Sequence, residues 1–256
     1  MGDPVRVAVT GAAGRMGREL LDVAAGRDDV SVVLAVNRSP VESVSGVDVH
    51  DAADLSTHLA ETDPDVLVDF TGPESSTDYA AACAEAGVGI VVGTTGFDAD
   101  GRAALDEAAE SVPLLHATNF SRGVAALRRA VREAVAALPD YDVEVTETHH
   151  NGKRDAPSGT ATTLLDEVDD VRGASDRVYG REGDQPRTEG EIGVHARRAG
   201  GVTGEHEVLL ADDHQLLSLT HRAGSRGVFA AGALDAAVWL ADRDAGRYDF
   251  DEVLDA

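Results

Sequence analysis

Groups able to move a proton or hold an anion crowd into ETHHNGKRDAPSGTA, residues 147–161. Histidine is the side chain that ordinarily changes charge near neutral pH, and His149 and His150 stand side by side here. Lys153 is the only lysine in 256 residues, although the chain uses 21 arginines. An ammonium can stabilise developing negative charge and also give up a proton, whereas a guanidinium, with a pKa above ~12, holds its proton. Ser158 has the residue type and position of a helix N-cap, so Gly159 and Thr160 would present first-turn N–H groups at the positive end of the helix, a place suited to a carboxylate. Two histidines at the end of a strand would by themselves be ordinary polar residues. Beside the sole lysine and a capped helix they describe a pocket for a polycarboxylate whose reacting atom lies near a histidine and an ammonium.

A second constellation opens the chain. The run VRVAVT leads directly into GAAGRMGREL, in which Gly11, Gly14 and Gly17 form G-x-x-G-x-x-G. The usual dinucleotide fingerprint is G-x-G-x-x-G, so the middle glycine is displaced. Position favours the dinucleotide over a chance match in a chain with 27 glycines: first strand, first turn, start of the first helix. Backbone N–H groups can approach a pyrophosphate there. The end of the second strand reads Val36-Asn37-Arg38. Asn37 offers no carboxylate to the adenosine ribose and does not repel a 2'-phosphate, which Arg38 could pair with. A solvated Asn-Arg turn is the plain alternative; the pattern leans to NADPH, with NADH as the other cofactor. Thr71, Gly93, Thr94 and Thr95, beyond later strand ends, are expected along the nicotinamide half, and Ala117, Thr118, Asn119 and Phe120 to close it and form a hinge.

The elements that must position these groups follow from periodicity. Short β-branched runs at 5–10, 30–36, 65–70, 89–93 and 113–118 alternate with helical stretches at 15–26, 52–61, 75–86 and 99–110, the pattern of a Rossmann-like, doubly wound parallel sheet. Residues 121–139 form an amphipathic helix with Val124, Leu127, Val131, Val135 and Leu138 on one face. Strand-like segments then follow with one intervening helix near Ser158, predicting an α+β unit with an open sheet, mixed or antiparallel. Residues 172–190 are polar and glycine-rich and are expected to be a long mobile loop. An apolar helix over 225–242 precedes a short tail. The change of pattern near residue 120 marks the opening of a second unit.

Composition limits the partners. A formal charge of -25 argues against general affinity for nucleic acid or anionic membrane, leaving small molecules and copies of the chain itself. The single Cys83, in an alanine-rich helical pattern, is expected to be a buried structural thiol. No metal is expected, and without an apolar leader or membrane-length run a cytoplasmic protein is. Acidity with near-absence of lysine resembles the bias of salt-in halophilic archaea.

Taken together, GAAGRMG, VDFT.PE, GTTG, NFS.GV, E.HH...K.DAPSGTA and the late GEH.V......H.L.L.HRA.SR..FA.GAL.AA.WL resemble the dihydrodipicolinate reductase family over residues 6–241. The HH-to-SGTA block is specific; the glycine motif alone is not. The resemblance implies NAD(P)H-dependent reduction of 4-hydroxy-tetrahydrodipicolinate in the diaminopimelate route to lysine, and a dinucleotide domain completed by the C-terminal helix. It further implies that residues 1–119 and 222–256 form the dinucleotide domain and that residues 120–221 are an inserted substrate domain whose sheet builds a homotetramer. By matching positions it makes His149 the proton donor and acceptor, Lys153 a second proton donor, and His150, Gly159 and Thr160 substrate contacts. It places pyrophosphate on Gly11, Ala12, Ala13, Gly14, Arg15 and Met16, and the nicotinamide side on Gly93 to Thr95 and Ala117 to Phe120. The family commonly has an acidic residue where this chain has Asn37, a departure that puts NADH preference in doubt. Other readings are a different two-domain amino- or hydroxy-acid dehydrogenase, with no use for the HH...K block, or a nicotinamide-sensing protein without turnover.

Overall fold

Buried β-branched runs and alanine-rich helices alternate through the first half of the chain, and the computed structural model describes residues 2–255. In order come β1 (Val5–Thr10), α1 (Arg15–Ala24), β2 (Val30–Asn37), β3 (Ser43–Val44), β4 (Val47–Asp48) and β5 (His50–Asp51). They are followed by α2 (Leu55–Thr62), β6 (Val66–Asp69), α3 (Pro73–Ala86), β7 (Gly89–Val92), α4 (Ala99–Ala109) and β8 (Pro113–His116). Next come α5 (Arg122–Ala137), β9 (Asp142–His149), α6 (Gly159–Arg172), β10 (Arg177–Tyr179), β11 (Ile192–Arg198), β12 (Glu205–Ala211) and β13 (Leu216–Arg222). The chain ends with α7 (Gly227–Leu240), β14 (Gly246–Tyr248) and α8 (Phe250–Leu254). Two units result, Met1–Ser121 with Arg226–Ala256, and Arg122–Ser225.

The first unit is a seven-stranded parallel sheet in the order β14-β8-β7-β6-β1-β2-β5. Strand order reverses at β1, where one connection runs outward to β2 and a later one returns to β6. In open α/β sheets that reversal leaves a crevice beyond the carboxyl ends of the strands. Helix α7 is apolar on nearly every side and correspondingly buried, with Ala230, Ala233, Leu234, Ala237 and Leu240 at 0% exposure. The short tail after it adds β14 to the sheet edge and ends in α8, whose Asp249 and Glu252 form a capping box. Cys83 is fully buried, and burial pushes its thiol pKa up, as suits a structural thiol.

The second unit is a mixed five-stranded sheet, β10-β11-β9-β12-β13, with β9, β11 and β10 mutually parallel and β12 and β13 antiparallel. Its core joins Leu127, Val131 and Val135 of α5 and Leu164, Leu165 and Val168 of α6 to inward residues of the sheet. The 172–190 segment, expected as a long mobile loop, is mostly loop in the structure. It contains β10 and is pinned by arginines: Arg177 bonds Asp169 at 2.8 Å, Arg181 bonds Glu191, and Arg187 bonds Glu144. Those partners lie outside the segment or at its far end, so local composition could not reveal them. Among the described residues no helix is long and apolar enough to cross a membrane.

Candidate active site

At the switch point of the first unit lies a cleft of about 560 Å³ whose walls include Gly11, Arg15, Asn37, Arg38, Thr71 and Tyr79. Gly11 has φ +61°, a left-handed turn that glycine adopts without strain, and a Cβ at Gly17 would fall 2.2 Å from the Gly11 carbonyl oxygen. Only glycine lets α1 start this close to β1. Gly14 caps α1 with no side chain, so the positive end of the helix is presented to the cleft, which Gly14, Arg15 and Met16 also line. This cradle fits a pyrophosphate. Ala12 and Ala13 sit at the centre of this turn. Their N–H groups donate to the Val36 carbonyl at 3.1 Å and to Asn37 Oδ1 at 3.3 Å, so they brace the turn against β2. Asn37 Nδ2 in turn donates to the Ser39 carbonyl at 2.8 Å, while Arg38 is exposed. Ser39 and Tyr79, which line the same cleft, carry no recognisable motif in the sequence.

The strand ends expected to face nicotinamide are organised by Asp69, which is fully buried. Its carboxylate accepts from Thr10 Oγ1 at 2.6 Å, Thr71 Oγ1 at 2.7 Å, Thr94 Oγ1 at 3.0 Å and the Ser76 hydroxyl. One carboxylate thereby ties together the ends of β1, β6 and β7 and the start of α3. Thr94 is a brace, its hydroxyl turned into this cluster, whereas Thr95 is exposed and Gly93 lies half-buried beside the Phe70 ring. Phe120 is likewise a core residue, 1% exposed, with its ring edge-on to Phe70 and Phe250. Ala117 donates to the Val92 carbonyl at 3.2 Å, Asn119 Oδ1 accepts from Ser121 at 2.8 Å, and Thr118 is exposed. The walls of the 560 Å³ cleft are formed without Gly93, Thr94, Thr95 or residues 117–120.

In the second unit three strands change character together. The inward stripe of β9 runs Val143, Val145, Glu147, His149; that of β12, read back from its end, runs Leu210, Val208, His206; that of β11 runs Ile192, Val194 and, past the exposed Ala196, Arg198. Register sets Arg198 opposite His149 and His206 opposite Glu147. The polar ends meet at the start of α6. Glu147 accepts His149 Nδ1–H at 2.6 Å, both Arg198 terminal nitrogens at 2.7 Å, and the Ser158 N–H at 3.1 Å. Ser158 Oγ caps α6 through Ala161 N at 3.2 Å and meets His206 Nε2 at 3.1 Å.

Burial raises the Glu147 pKa, but the hydrogen bonds from Arg198 and His149 outweigh it and hold the carboxyl below its ordinary value. Burial lowers His206 to about 4, so this ring is neutral at pH 7. His149 Nε2 faces Gly204, where a Cβ would fall 3.1 Å away. Lys153 is mostly covered, and its Nζ pairs with the exposed Asp155 at 3.0 Å. Burial and that ammonium act in opposite directions on Asp155, and the ammonium prevails to lower its pKa. His150 is half-buried at the turn, its carbonyl accepting from Lys153 N at 3.2 Å. Gly159 is exposed at the first position of α6 with open space where a side chain would be, and Thr160 follows it, half-buried. The structure thus brings His149 to the capped helix and adds Glu147, Arg198 and His206 to it. Glu147 could have been found from its two-residue spacing to His149, which puts both on one face of a strand.

A parallel switch-point cleft that fits a pyrophosphate, with a second sheet carrying a carboxylate-held histidine at a helix N-terminus, defines the class of two-domain nicotinamide-dependent oxidoreductases. Residues 5–120 match the dihydrodipicolinate reductase N-terminus and residues 123–254 its C-terminus. The chain is 53% identical over 251 residues to the 4-hydroxy-tetrahydrodipicolinate reductase of Haloarcula marismortui, covering 98% of this chain and 99% of that one. Its identity to the enzyme of the same name from Natronomonas pharaonis is 55% over 252 residues, covering 98% and 100%. Its fold matches the dipicolinate-bound dihydrodipicolinate reductase from Paenisporosarcina sp. TG-14, with a TM-score of 0.78, 24% identity and coverage of 96% and 97%. The chain belongs to the dihydrodipicolinate reductase family.

Proposed function

We propose that the protein is an enzyme that reduces 4-hydroxy-tetrahydrodipicolinate to tetrahydrodipicolinate with NADPH, in the diaminopimelate route to lysine. The observation that carries this is His149, held through Nδ1 by Glu147 beside the capped N-terminus of α6, in the segment that also bears the sole lysine. The first unit takes the dinucleotide, with the pyrophosphate on the turn from Gly11 to Met16 and Arg38 facing the 2'-phosphate. The second unit takes the dicarboxylate and, through the sheet bearing the exposed Leu216 and Tyr179, assembles a homotetramer.

When bound, the reduced nicotinamide supplies a hydride. Loss of water from the cyclic substrate leaves a conjugated imine, and hydride addition at the far end of that conjugation builds negative charge on the ring. Lys153 stabilises the charge as a cation and delivers a proton, and His149 exchanges a proton at Nε2. The N–H groups of Gly159 and Thr160 hold one substrate carboxylate and so orient the ring, with His150 beside it. NADPH oxidation with substrate generated from aspartate semialdehyde and pyruvate tests the reading. Turnover with other amino or hydroxy acids and none with this substrate would overturn it.

A further inference from the structure

A histidine works as a defined acid or base only when one ring nitrogen is held and the other is offered. We propose that Glu147 is the positioning residue that arranges this, taking Nδ1–H of His149 and leaving Nε2 as the atom that exchanges the proton, with Arg198 locking the carboxylate. This role rests on His149 being the proton-transfer residue of the proposed reaction.

Each Glu147 oxygen accepts two hydrogen bonds: Oε1 from Ser158 N and Arg198, Oε2 from His149 and Arg198. A carboxylate so occupied cannot turn without breaking several bonds at once. The bidentate guanidinium keeps it ionised, and an ionised carboxylate only accepts. Nδ1 must therefore carry the hydrogen. Neutral His149 is then a base at Nε2, and the imidazolium is an acid at the same atom.

The groups facing His149 come from every neighbouring element: Glu147 on β9, Arg198 on β11, His206 on β12 with its ring centroid at 5.2 Å, His221 on β13 behind His206, and Lys153 with Asp155 in the turn. His206 is neutral at pH 7 and does not oppose the imidazolium. Glu147 alone of these carboxylates touches the ring. The same carboxylate anchors Ser158, coupling the ring that moves the proton to the helix end proposed to hold the substrate.

Three measurements test this on the full-length enzyme. Ring ¹⁵N NMR, assigned by difference with His149→Gln, should show the Nδ1–H tautomer of His149; the Nε2–H tautomer would overturn the proposal without any change at Glu147. Glu147→Gln should lower kcat by ~10-fold or more. It should also move the basic limb of the kcat–pH profile down by ~1 pH unit or more, the scale of losing an adjacent opposite charge. Pyridine-2,6-dicarboxylate binding, the third readout, should change only a few-fold, because glutamine still accepts from Ser158 and Arg198. A merely structural residue would lose binding and leave the profile in place, and that result overturns the role. If His149→Gln is inactive while Glu147→Gln keeps the parent profile, only this inference fails; if His149→Gln turns over fully, the reading of His149 itself fails.

Discussion

Asn37 donates its side-chain amide to the Ser39 carbonyl at 2.8 Å, which ties the end of β2 to the loop that bears Arg38. Through Oδ1 the same side chain receives the Ala13 N–H of the glycine turn. Asn37→Asp would keep the second bond and replace the first by two facing acceptors, so the loop that presents Arg38 loosens as a carboxylate arrives at the ribose. The ratio of kcat/KM for NADPH over NADH should fall by ~10-fold, the scale of one charge-assisted hydrogen bond. Arg38→Ala should weaken NADPH more than NADH. Equal losses for both cofactors would show that Arg38 does not read the phosphate.

Lys153 is tethered by an exposed Asp155, so its ammonium is positioned without being neutralised by a buried partner. Lys153→Ala should lower kcat by ~10²-fold or more while leaving NADPH affinity near its parent value. Lys153→Arg keeps the cation and removes ready proton delivery, so it should stay impaired. Full activity in the arginine variant would mean that Lys153 acts only through its charge.

His206 predicts a pH dependence of stability. Folded, it takes its proton near pH 4; its ordinary value is 6.5, so between these the unfolded chain holds the extra proton. Stability contributed by the neutral buried ring is therefore complete above 6.5 and lost as pH falls toward 4. The loss is at most about 3 kcal/mol. Burial shifts His221 and His116 in the same direction. Glu147, with its lowered pKa, adds a loss only at more acid pH. Denaturant midpoints measured across this window at constant salt should fall with acidification, and His206→Gln should flatten the slope. An unchanged slope would remove His206 as the cause.

Salt should help this protein bind anions. With a formal charge of -25, the long-range field opposes both NADPH and a dicarboxylate in dilute buffer. At ~1 M salt the Debye length falls to ~3 Å, which screens distant repulsion and leaves the contacts at Lys153, Arg38 and the helix ends. KM for both ligands should fall and Tm should rise along a KCl series. If both are best in dilute buffer, adaptation to high salt is excluded while the family assignment stands.

Much of the protein is legible in its sequence. The alternating β-branched and alanine-rich runs, the glycine turn after β1, the Ser158 cap and the HH...K...SGTA block are each written in a short stretch of chain. Turn chemistry, capping and periodicity act over that same range, so the fold class and the family followed from sequence. Partners across strands did not. Arg198 reaches Glu147 because β11 pairs with β9 in a register that sets Arg198 opposite His149, and His206 stands across from Glu147 on a strand running the other way. Asp69 reads as one more strand-end aspartate until Thr10, Thr71, Ser76 and Thr94 converge on it. The contacts that pin the 172–190 segment were not legible, because the acids its arginines meet lie outside the segment. Local sequence selects elements and their chemistry; register and packing decide which charges share a buried pocket, because strand pairing joins residues 50 or more positions apart.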